Sequence, residues 1–244
     1  MTGFIFWLTL RQIIGRRSIL LLVALAALPV VIATVFRLSQ TDAEPDRWTA
    51  EVLYLGLIIT GVLPLTALLL GTAVIGDEIE DGTVAYLLTK PLRRWQILVA
   101  KVTAAWLVIA ALTVAAIVAS GLIALEGQSS AIVAGFAVAA AAGALAYAVL
   151  FVLLSVVTTR ALISGLIYVF LWEGAITSIF DGTRYLSVRH YTLGLAEWIA
   201  GTSEDVFDAY VGGETALILI TLTVALAAYY ANRRLEQVEA RDAG

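Results

Sequence analysis

Six long apolar runs decide what this chain can become. They lie at approximately 18–36, 52–75, 99–125, 131–158, 162–180 and 215–230, and the only acidic residue inside them is Glu173. A hydrocarbon core of about 30 Å is crossed by roughly 20 apolar residues at the helical rise of ~1.5 Å, so the first five runs are long enough to span it and the last does so with a few flanking residues. With 61% of its residues hydrophobic and 14% charged, the chain has too much apolar surface for a soluble core. It is equally unlike a disordered chain, which is poor in aliphatic residues. The expected fold class is an all-α polytopic membrane protein with six transmembrane helices. Zero cysteines exclude disulfide frameworks and thiolate chemistry, and one histidine, His190, leaves no imidazole cluster for a metal. His190 itself reads as an exposed loop residue.

The basic residues set the orientation. Arg11, Arg16, Arg17, Lys90, Arg93, Arg94, Lys101, Arg160, Arg233, Arg234 and Arg241 fall on the side of the N-terminus, whereas Arg37, Arg47, Arg184 and Arg189 fall opposite. The positive-inside rule then makes both termini cytoplasmic and the protein multi-pass in the cytoplasmic (inner) membrane. Arg16 and Arg17 ahead of an apolar run also resemble a cleaved leader, the weaker reading, because that run is long enough to span and no soluble secreted domain follows. Before the first span, Phe6, Trp7, Leu10, Ile13 and Ile14 share one side of a helix with Thr9, Gln12 and Arg16 opposite. That pattern predicts an amphipathic elbow helix over 3–16 lying in the headgroup plane. The other reading is an extension of the first span.

One inward-facing loop is longer and patterned. Glu78, Glu80 and Asp81 precede Gly82, Thr83, Val84, Tyr86, Leu87 and Leu88, and Pro91, Arg93 and Arg94 follow. Asp81 can cap a short helix from Gly82 to about Thr89, and Pro91 stops it. Arg93, Arg94 and Lys101 then anchor the third span at the headgroups. At these residues the sequence resembles the permease subunits of type-2 ATP-binding-cassette (ABC) exporters. Their first cytoplasmic loop runs in the same order: acid, Gly-Thr, a leucine-rich turn, Pro, a basic pair and a Lys.

The resemblance implies that residues 1–244 form a single type-2 ABC transporter transmembrane domain. It also makes the loop a coupling helix, with Glu78, Glu80, Asp81, Gly82, Thr83, Leu87, Leu88, Pro91, Arg93 and Arg94 docking on an ATPase. No phosphate-loop motif occurs in the chain. The implied arrangement is two separate ATPase subunits holding ATP and Mg, and a second permease copy or a related permease. The chain itself would be no enzyme and bind no cofactor or nucleic acid. The predominance of arginine over lysine, with abundant alanine, fits a GC-rich bacterial genome.

Glu173 has two readings of equal weight. Either it lies on the substrate route or at a gate, or it pairs structurally with Arg184 or Arg189 or reaches the outer headgroups. The outer segment 181–214 holds apolar residues and is expected to rest partly on the membrane, where the family carries short gate helices. Trp198 belongs to that gate or anchors the interface. Small residues at Gly135, Ala139 and Gly143 permit close helix packing. Hydroxyls in the spans, including Thr60, Thr66, Thr72, Thr113, Ser120, Ser155, Ser164, Thr177 and Thr221, either line a path or satisfy helix backbones. With so few charges, the expected cargo is amphipathic or apolar. The rival function is an integral membrane enzyme of lipid or prenyl-diphosphate chemistry, holding magnesium on the acids at 77–81. It lacks the second acidic cluster that such a site needs.

Overall fold

The computed structural model describes residues 2–15, 18–39, 43–80, 94–127, 129–201 and 206–242, with side chains described outside 2, 77–80 and 236–242. It contains helices and no strand among the described residues, and six helices are long and apolar enough to cross a membrane. Helix α1 (Thr2–Gly15) precedes the first span, α2 (Ser18–Leu38). The second span, α3, occupies Pro45–Gly76, and its helix continues to Glu80. The remaining spans are α4 (Arg94–Ala124), α5 (Ser130–Val157), α6 (Ala161–Ile179) and α8, which crosses over Gly213–Leu235 and continues to Asp242. Between α6 and α8 lie a 3-10 turn, Asp181–Leu186, and a short helix, α7 (Val188–Ala200).

Local chemistry explains where the ends differ from the apolar runs. Helix α3 starts at Pro45 rather than near Val52, because Pro suits a first helical turn and Arg47 pairs with Glu51 one turn on at 3.1 Å. The charged stretch is therefore helix. On the same end of the bundle Phe36 stacks on Trp48 at 3.7 Å between centroids, Arg37 pairs with Glu126, and Ser129 donates to Asp46 at 2.6 Å. Helix α1 buries Ile5, Thr9 and Ile13 and packs on α4, leaving Trp7 and Ile14 exposed. Its covered stripe is thus narrower than, and turned from, the face that the sequence pattern suggests.

Helix α5 is the column around which the others stand, contacting α3, α4, α7 and α8. Its sequence explains this, because small residues let neighbours approach closely. A Cβ on Gly135 would come within 2.8 Å of the Ala196 carbonyl, and one on Gly143 within 2.3 Å of Thr192 Oγ1. Helix α7 therefore lies along α5 in the opposite direction, its first turns beside Gly143 and its last beside Gly135. Rather than resting on a surface, it buries Val188, Ala200 and the whole stretch from His190 to Ala196. Gly201, at φ 59°, ends it in the left-handed conformation that glycine tolerates.

Two spans are partly π-wound. In α3 the turn runs over Thr49–Val62, and in α6 over Tyr168–Ile176. Leu63 N accordingly donates to Ile58 O and Thr177 N to Trp172 O, five residues back in each case. Such windings are uncommon and concentrate at functional sites.

Most span hydroxyls serve the backbone. Thr60, Thr72, Thr113, Ser120, Ser155, Thr177 and Thr221 all donate to carbonyls of their own helix. Cross-links between spans come instead from Tyr54 Oη to Ile117 O at 2.9 Å and Trp106 Nε1 to Ala141 O at 2.8 Å. Lys101, expected at the headgroups, is only 2% exposed and donates to Val74 O at 2.8 Å, tying α4 to α3.

Helix α7 also meets the connection to α8 so closely that a Cβ on Gly194 would lie 2.0 Å from the Val211 carbonyl. Gly194→Ala is expected to cost about 1–3 kcal/mol, read as a lower melting temperature of the purified protein. Gly182→Ala, with open space around it, should leave the melting temperature unchanged.

Candidate functional site

Glu173 is the centre of the site. Its residue is 3% exposed, and its carboxylate accepts five hydrogen bonds. Oε1 takes Tyr168 Oη at 2.7 Å and Val188 N at 3.0 Å. Oε2 takes Tyr147 Oη at 2.8 Å, Ser187 Oγ at 3.2 Å and Arg189 N at 3.1 Å. An ionised carboxylate away from water costs several kcal/mol unless such donors surround it. Here both oxygens are fully used.

The π winding of α6 makes this possible. Residues five apart diverge by about 140° on an α-helix, which turns by ~100° per residue. The looser turn from Tyr168 to Ile176 brings Tyr168 onto the same side as Glu173. Tyr147 comes from the buried middle of α5, stacked near Phe151 at 5.8 Å.

The other three donors belong to the start of α7. Ser187 is its N-cap and accepts from His190 N at 3.4 Å, while Glu173 takes the N–H groups of Val188 and Arg189. All three first-turn donors of α7 are thereby satisfied, two of them by a side chain from a different helix, where negative charge suits the helix dipole. His190 is buried at 8% exposure with Nδ1 3.0 Å from Ser187 Oγ, so it is not the exposed loop residue that its sequence context suggests.

The expected arginine partners of Glu173 act differently. Arg189 contributes its main chain. Arg184 instead pairs with Asp181 at 2.9 Å, donates to Thr177 O at 3.2 Å and stands over the Tyr210 ring. Trp198 is exposed at the far end of α7, its Cβ against Gly213 at the start of α8. The structure therefore places Glu173 and Trp198 at opposite ends of one short helix.

Of the coupling residues read from sequence, Asp81, Gly82, Thr83, Leu87, Leu88, Pro91 and Arg93 lie outside the described residues. Glu78 and Glu80 fall in the last turn of the α3 helix, and Arg94 opens α4, half-buried. Sequence reasoning missed Tyr147, Tyr168 and Ser187. A signal existed in Tyr147, the one tyrosine in the middle of a span that is otherwise apolar except for serines near its ends.

The fold and site define a polytopic helical membrane protein whose fifth span anchors a helix folded back among the spans. The family described as ABC-2 family transporter protein matches residues 4–237. The chain belongs to that family, as a membrane-spanning permease subunit rather than a catalyst. No curated protein matches the chain.

Glu173→Gln keeps the shape but places an amide NH2 against one of two backbone N–H groups that cannot turn away. It should cost about 1–3 kcal/mol, measured as a lower melting temperature. Tyr147→Phe, which removes one donor and leaves four, should cost about 1–2 kcal/mol.

Proposed function

We propose that this chain is the membrane half-unit of an ATP-driven exporter, working with a second permease copy and two separate ATPase subunits that hold ATP and Mg. The observation that carries the reading is α7. A helix folded back beside the central span and tethered at one end by a carboxylate is a movable stopper that a transporter can use as an outer gate. Glu173 holds the gate's inner end and Trp198 marks its outer end. Both termini and the loop around Glu78 to Pro91 face the cytoplasm, following the arginine distribution.

Energy enters through that loop. ATP binding closes the ATPases, and the loop transmits their movement to α3 and α4, which flank it. For this to shift the spans, the loop's contacts must differ between the two ATPase states. Family membership supports this arrangement, and so does the resemblance from Glu78 to Lys101. The cargo is amphipathic or apolar, because the spans supply self-bonded hydroxyls and few charges.

The test is reconstitution with the phosphate-loop ATPase encoded nearest the gene. ATP-dependent efflux from vesicles is expected. Leu87→Asp should abolish co-purification of the ATPase and lower efflux at least about tenfold while membrane insertion persists. Glu173→Gln should reduce efflux with the ATPase still bound. If no nucleotide-hydrolysing subunit co-purifies or can be reconstituted with the chain, the proposal fails.

A further inference from the structure

The charged groups around the first turn of α7 are matched, with one exception. Glu173 has its five donors, and Arg184 has Asp181 and the Thr177 carbonyl. Arg189 is half-buried and its Nε is shielded from solvent with no acceptor. Its guanidinium has no carboxylate within ion-pairing distance among the described residues. It also sits in the first turn of a helix, the end whose dipole is positive and disfavours a cation. Burial without an acceptor adds a desolvation penalty. The Glu173 carboxylate on the same turn offsets part of this cost, but it leaves Nε without an acceptor and the guanidinium open to one from outside the fold.

Position and sequence disfavour two other occupants. The first turn of α7 is level with Tyr147, about 25 Å along α5 from Ser130 and about 15 Å from Val157 at ~1.5 Å per residue. Headgroup phosphates gather toward the helix ends rather than at this turn. A second copy offers no spare carboxylate there either, since Glu173 is the only acid in the apolar runs and is itself saturated.

Resting on the permease reading above, we propose that Arg189 recognises the acidic head of the cargo, and that the cargo is an anionic amphiphile bearing a phosphate or carboxylate. A guanidinium binds either group through paired, charge-assisted hydrogen bonds. Ile179, Phe180 and Leu186 stand exposed on the connection leading into α7, an apolar surface for the tail of such a cargo. The Glu173 anchor is untouched by this role, since it uses the main-chain N–H of Arg189 and leaves the side chain available.

The full chain in nanodiscs of phosphatidylcholine is titrated by equilibrium dialysis with three probes sharing one tail: dodecyl phosphate, dodecyl maltoside and dodecyltrimethylammonium. Dodecyl phosphate should bind at least about tenfold more tightly than the other two. Arg189→Gln should erase the preference and Arg189→Lys should keep part of it. Without any probe, Arg189→Gln should hold or raise the melting temperature, because it removes a shielded Nε–H that has no acceptor in the fold. Equal binding of the three probes, or a phosphate preference that survives Arg189→Gln, overturns the inference while ATP-driven efflux with the partner ATPase would still stand. A melting temperature that drops in Arg189→Gln overturns it too, by placing the guanidinium's partner inside the fold. Loss of efflux in the reconstituted complex, by contrast, counts against the permease reading itself.

Discussion

A single carboxylate holds three parts of this molecule in register. Glu173 reaches from α6 to the hydroxyl of Tyr147 on α5 and to the first N–H groups of α7, and no water is needed to satisfy it. In hydrocarbon the alternative to these bonds is an exposed charge, which is far costlier than in water. The arrangement is therefore held by what its loss would expose as much as by what it gains. Without that tether the start of α7 would present free N–H groups inside the bundle, and a helix folded back among spans would have no reason to remain there.

Close packing supplies the second condition. Helix α7 fits beside α5 because Gly135 and Gly143 leave room where any side chain would strike Ala196, Ala200 or Thr192. The small-residue spacing along α5 thus does two jobs: it makes α5 the central column, and it cuts the channel in which α7 lies. Most spans face outward with branched aliphatics, such as Leu20, Leu21 and Val31 on α2 and Ile218 and Leu222 on α8, as lipid contact demands.

Much of this was legible beforehand. The apolar runs revealed six helices long enough to cross a bilayer, because crossing requires length and hydrophobicity that composition displays directly. Glu173 stood out for a similar reason, as the one acid in an apolar context. Its partners did not, since a carboxylate's donors come from residues distant in sequence and from main-chain groups that no side-chain pattern reveals. The path of α7 was also hidden. A thirteen-residue helix carrying Arg189, His190 and Glu197 reads as an outer surface element, and only the glycines of another helix decide that it is buried. Lys101 misled in the same way: a lysine at a span's end suggests snorkelling, yet a carbonyl at the right distance in α3 kept it inside.

The π winding of α6 has a mechanical corollary. Where a helix holds one residue more per hydrogen-bonded ring, tightening that ring by a single residue swings everything beyond it by about 100° without melting the helix. Tyr168 and Glu173 share a side only while the ring stays loose. A tug along α6 could therefore act like a key turning in a lock, withdrawing one bolt while every backbone bond finds a new mate.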